Sequence, residues 1–123
     1  MKDNMMKKDE LLNLKELHDM AAGDKKFLNK VAEEFELMAR ETLVELNQGL
    51  TSANLAVIRS AVHRIKPNFS YLGMEQQAKD ASVIILKIDH DGNNKEIINM
   101  AHDLTEDIHQ AINEVQDVKS TWK

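Results

Sequence analysis

The sequence predicts an all-α fold: an antiparallel up-and-down four-helix bundle with a short additional helix at its N-terminal end. Three observations carry this. Turn-formers are scarce, with 4 glycines and 1 proline in 123 residues, and aromatic residues make up only 4%. β-branched and aromatic runs of the kind that favour strands are scarce. Apolar residues instead recur every three or four positions along four long stretches, and the connections between those stretches are short enough to make neighbours run up and down.

Taken in order, residues 1–8 (MKDNMMKK) read as a frayed leader. The first helix is expected from Asp9 to Ala22, with Leu11, Leu14, Leu17 and Met20 or Ala21 on one side. Gly23 ends it, and Asp24 is a good N-cap for the second helix. Along that helix Phe27 or Leu28, Val31, Phe35, Met38, Thr42 and Leu46 keep helical spacing, and Gly49 sits where a terminating glycine belongs. The third helix follows a Thr51-Ser52 cap; its seam is Leu55, Ile58, Val62, Ile65, Phe69 and Leu72, and Gly73 closes it. The fourth spans Glu75 to Ile88 with Ala78, Ala81, Ile84, Ile85 and Ile88 inward. After the loop DHDGNN (89–94), the fifth covers Lys95 to Val118 with a stripe of Ile97, Ala101, Leu104, Ile108, Ala111 or Ile112, Val115 and Val118.

The length fits one domain, residues 1–123, with a single modest core. Sixteen basic against 21 acidic residues leave a net charge of −5, which argues against nucleic acid or an anionic membrane as the main partner. The absence of cysteine excludes disulfides, thiolate chemistry and cysteine-based zinc sites. The leader is too charged for a signal peptide, having no uninterrupted apolar segment after its lysines, so none is expected. The longest dense apolar run, VIIL at 83–86, is far short of a membrane span. A cytoplasmic monomer is expected. The methionine start and polar leader favour a free-standing protein, although a piece of a longer cytoplasmic chain would read the same way.

Five histidines are the natural places to look for chemistry near neutral pH. His18, beside Leu17, reads as a boundary side chain. His90 lies in a loop with a superficial likeness to a calcium loop, but the sixth and twelfth positions counted from Asp89 are Asn94 and Met100, where glycine and glutamate are needed. His102, Glu106 and His109 share one face of the fifth helix, and Glu106 to His109 is a Glu-x-x-His element like those of bundle-core di-iron sites. No second such element exists in the chain, so a solvated face is expected and no metal site is assigned.

His63 differs because of where the seam puts it. At about 100° per residue, the mean direction of the third helix's seam lies roughly 130° from His63, so the imidazole is expected on the exposed flank. Ala56, Arg59, Lys66, Pro67 and Ser70 share that flank, and the helix itself carries no carboxylate. Small neighbours leave the ring accessible, while Arg59 and Lys66 bring positive charge one turn to either side. Such a site suits an anion: a neutral imidazole nitrogen can attack a phosphoryl group, and an ammonium can offset the charge it acquires.

His63-Arg64-Ile65-Lys66, followed by Leu72-Gly73, resembles the His-x-(Leu/Ile)-Lys-Gly-Ser-x-x-x-Leu-Gly signature of histidine-containing phosphotransfer domains of two-component phosphorelays. The layout is similar from about residue 9 to 119: a short first helix, a Gly23-Asp24 step with Phe27 soon after, a long second helix, and the histidine midway along the third. The resemblance implies that His63 accepts a phosphoryl group on Nε2 and exchanges it with an aspartate of a receiver domain, on a response regulator or a hybrid sensor kinase. It implies that Lys66 neutralises the phosphate, and that Arg59, Arg64, Pro67 and Ser70 belong to the partner-docking face. No kinase or phosphatase activity and no cofactor of its own would be expected, the Mg²⁺ residing on the receiver.

The departures from the signature are Pro67, where the family has glycine, and Asn68, where it has serine. Proline has no N–H for the His63 carbonyl and crowds it, so a bend just after His63 is expected, with the carbonyl turned to water. The seam continues past Pro67, which predicts a helix that bends without ending. This departure keeps open an alternative, a helical adaptor that binds receiver or kinase domains without being phosphorylated.

Overall fold

The computed structural model describes residues 10–90 and 92–122, so the leader at residues 1–8 and the expected helix start at Asp9 lie outside the described residues. Among the described residues there are five helices and no strand: α1 (Lys15–Ala21), α2 (Lys25–Ser52), α3 (Leu55–Tyr71), α4 (Glu75–Asp89) and α5 (Asn94–Lys119). α2 and α4 each pack against both α3 and α5, and α1 packs on α2. Phe35, Leu46, Ile58, Ile65, Phe69, Ile84, Leu104 and Ile108 are among the large, fully buried side chains of the shared core.

The first helix is shorter than its apolar spacing predicts. Residues 11–13 are drawn off by long-range acceptors before they can wind. The Glu114 carboxylate accepts from the backbone N–H of Leu11 at 2.9 and 3.1 Å and of Leu12 at 3.1 Å, and the Leu72 carbonyl accepts from Asn13 at 2.9 Å. This strap lies so close to Gly73 (φ +68°) that a Cβ there would strike the Asn13 carbonyl. Gly73 therefore ends a helix, as its sequence position predicts, and also admits the strap.

Asp24 caps α2 as expected, its side chain accepting from Lys26 at 3.0 Å and Phe27 at 3.2 Å. Gly49 does not end this helix. It is buried inside it, where a Cβ would come within 2.8 Å of Ile58 Cγ1 and 3.2 Å of the Ile58 nitrogen. The glycine serves close approach of α2 to α3, and the helix runs one turn further, to a left-handed Ala53 (φ 52°). Thr51 and Ser52 thus close α2, and the cap of α3 is Asn54, which accepts from Ala56 and Val57 at 3.1 and 3.2 Å. The buried line on α2 is Leu28, Ala32, Phe35, Ala39, Thr42 and Leu46, so two alanines take the places expected of Val31 and Met38, which are half-buried.

α3 continues unbroken across Pro67. Its seam of Ile58, Val62, Ile65 and Phe69 is fully buried on both sides of the proline, with Leu72 buried just beyond. α4 and α5 match their predicted spans to within one residue at each end. Asn93 caps α5, accepting from Glu96 at 3.1 Å, and Lys87 pairs with Glu96 across the loop between them. No helix is long and apolar enough to cross a membrane among the described residues.

Candidate functional site

Burial of Ile58, Ala61, Val62, Ile65 and Phe69 fixes the rotation of α3 and turns the opposite flank outward. His63, Pro67, Ser70 and Ala56 are exposed, whereas Arg59, Arg64 and Lys66 are half-buried at the flanks. The helix thus presents the imidazole at mid-length, one turn from Arg59 on one side and from Lys66 on the other. Side chains three and four apart on a helix stand about 5–6 Å apart at Cβ.

The electrostatics of this flank come from neighbouring helices as much as from α3. Arg59 makes a two-pronged ion pair with Asp89 at the end of α4, Nε to Oδ1 at 2.7 Å and Nη2 to Oδ2 at 2.9 Å. The pairing raises the Arg59 pKa and lowers that of Asp89, in each case chiefly through the side-chain hydrogen bond. Arg64 faces the other way and pairs with Glu45 of α2, with Nη1 3.2 Å from Oε2. Lys66 has neither hydrogen bond nor ion pair with any described residue. Of the three cations on α3, the one a turn beyond His63 is the one whose charge is uncommitted.

Pro67 alters the backbone beside the imidazole. In an otherwise continuous helix its missing N–H leaves the His63 carbonyl without the usual donor four residues on. Asn68, standing where the signature has serine, is half-buried and lines two shallow hollows, one with Leu37 and Glu41 of α2, the other with Met20, Phe27 and Tyr71.

The structure thus brings His63, Arg59, Lys66, Pro67 and Ser70 to one flank and directs Arg64 toward α2. Asp89 and Glu45 are the residues that sequence reasoning missed. Both lie on other helices, and an ion pair 30 or 19 residues away leaves no trace in local spacing.

The other histidines lie elsewhere. His18 meets Trp122 edge-on, with ring centroids 5.7 Å apart. His90 is the C-cap of α4. His102 and His109 are exposed on α5 and seven residues apart, about 10 Å along the axis, too far to chelate one ion with Glu106 between them. No group of three or more potential metal-ligating side chains clusters among the described residues.

No protein-family model, curated protein or solved structure matches this chain significantly.

Proposed function

We propose that the chain is a histidine phosphotransfer protein of a two-component phosphorelay, a covalent carrier and not a turnover enzyme. The observation that carries this reading is the pairing of an exposed His63 at the middle of α3 with an uncommitted Lys66 one turn on, while Arg59 and Arg64 are tied to carboxylates. The four long helices, on this reading, form an antiparallel up-and-down bundle, and residues 1–123 work as one cytoplasmic, monomeric domain without a cofactor of its own.

The chemistry needs little from the chain. Neutral His63 attacks the phosphorus of a receiver's aspartyl phosphate through Nε2. A P–N bond forms, the P–O bond to aspartate breaks, and the carboxylate leaves; the reverse step returns the group. The Lys66 ammonium offsets the charge gathered on the phosphoryl oxygens. The receiver supplies the aspartate and Mg²⁺, and its docking over Pro67 and Ser70 keeps water from the transferring group.

Incubation with a phosphorylated receiver domain or a hybrid sensor kinase should label the protein, with acid-labile, base-stable phosphate. A His63→Gln variant that labels as well as the parent would sink the assignment. Exposed Pro67, in place of the signature's glycine, favours a second reading as a non-phosphorylated adaptor. Receiver binding that persists in His63→Gln, with no labelling of the parent, is the result that reading requires.

A further inference from the structure

We propose that Arg59 is a second ligand for a phosphoryl group on His63, and that it exchanges Asp89 for that group when the histidine is modified. The inference rests on the phosphotransfer reading above.

Arg59 lies four residues before His63, on the same flank of α3. Long side chains on a helix lean over the turn N-terminal to their own Cα, so the His63 ring leans toward Arg59. Arg59 leans the same way and must swing back by one turn, off Asp89, to meet a group on Nε2. The Arg59 guanidinium is at present occupied by the Asp89 carboxylate at 2.7 and 2.9 Å. That tie is an exposed one, with side chains 40% and 43% accessible, and exposed pairs are weak. A phosphoryl group brings a charge approaching −2 and three acceptor oxygens, against one charge and two oxygens on the carboxylate. The planar guanidinium fork suits either partner.

The exchange has a consequence for α4. Asp89 is the last residue of that helix, where a carboxylate faces the negative end of the helix dipole. Arg59 now offsets this unfavourable placement. Once Arg59 turns to the phosphoryl group, Asp89 is left uncompensated beside the α4 C-terminus, with His90 the next residue along, and the last turn of α4 loosens. The state of His63 is thereby relayed to the end of a neighbouring helix. Lys66 is the first ligand of the phosphoryl group and stays so through the exchange, while Arg64 and Glu45, turned away toward α2, hold one another.

Phosphoramidate provides a test that needs no protein partner. Its P–N bond breaks, ammonia leaves, a P–N bond forms to His63 Nε2, and the Nδ1 proton of the transient imidazolium passes to solvent. Three readouts follow modification: the Arg59 Nε–H signal by ¹⁵N NMR, amide hydrogen exchange at Asp89, His90 and Gly92, and the ³¹P titration of the phosphoryl group. The Arg59 signal should move and the amides should exchange faster. The titration midpoint should rise by about 0.5 pH unit or more in Arg59→Gln, because a cation that opposes protonation of the phosphorylated side chain is lost, and fall in Asp89→Asn, because its competitor is gone. Modification of His63 with the same midpoint in parent and both variants overturns the exchange while leaving the phosphotransfer reading intact. A parent that takes up no phosphoryl group at His63 overturns both.

Discussion

Replacing Pro67 with alanine should stabilise the protein, and by an amount the structure bounds. The residue is exposed, so no packing is lost, and α3 is helical on both sides of it. Alanine restores an N–H to the His63 carbonyl, and one such hydrogen bond is worth about 1 kcal/mol net. Proline in a helix interior costs about 3 kcal/mol relative to alanine, which sets the upper bound because the full penalty includes crowding that the surrounding helix has already accommodated. A gain of between about 1 and 3 kcal/mol is therefore expected. With a urea dependence of about 1–3 kcal/mol per molar for a chain of this size, the unfolding midpoint should rise by roughly 1 M with an unchanged slope. Hydrogen exchange supplies the local check, since the new amide at position 67 should be protected and the His63 carbonyl is its only helical acceptor. A midpoint that stays put or falls, with the slope unchanged, refutes the claim that the proline is held in this helix at a cost in stability.

Other substitutions probe the site and the frame. Lys66→Ala removes the uncommitted ammonium, a charge-assisted contact worth about 1.5 kcal/mol, and should slow phosphoryl transfer to His63 roughly tenfold in a rapid-quench assay. Pro67→Gly tests docking: unchanged transfer rate together with unchanged receiver affinity would show that the ring takes no part in it. Thr42, fully buried with no partner for its hydroxyl among the described residues, should tolerate Thr42→Val with a gain of about 1 kcal/mol by urea denaturation, whereas an equal loss would mean that the hydroxyl is satisfied. Asp89 has its pKa lowered in the folded state by Arg59, so the pair's contribution is complete above the ordinary carboxylate value of 3.8 and is lost as pH falls through the folded-state value. The stability difference between the parent and Asp89→Asn should accordingly shrink on acidification below about pH 4 and stay flat from pH 5 to 8.

The helical character and most helix spans were readable from spacing because a buried stripe imposes its period on the residues that form it. The α3 seam is the clearest case: its positions on both sides of Pro67 are buried, and that alone turns His63 outward. What spacing could not reveal were features set by contacts between elements. Gly49 looks like a helix terminator and is a helix-packing glycine, a difference decided by Ile58 on another helix. Leu11 and Leu14 keep helical spacing with Leu17, yet α1 begins only at Lys15 because Glu114 and Leu72 capture the backbone upstream. At the site, the histidine and its flanking cations were legible. Which cations remain free was not, since Asp89 and Glu45 reach them from α4 and α2.

The strap imposes an order on folding. Leu11 and its acceptor Glu114 are separated by 103 residues, so the contact closes a very long loop. A refolding chain in which α5 has not yet docked has no Glu114 acceptor in place for the amides of residues 11 and 12. Closing so long a loop early would sacrifice chain entropy before other contacts repaid it, so the strap is best placed as a late event. In pulse-labelled refolding, amides of α3 should therefore gain protection before those of Leu11 and Leu12.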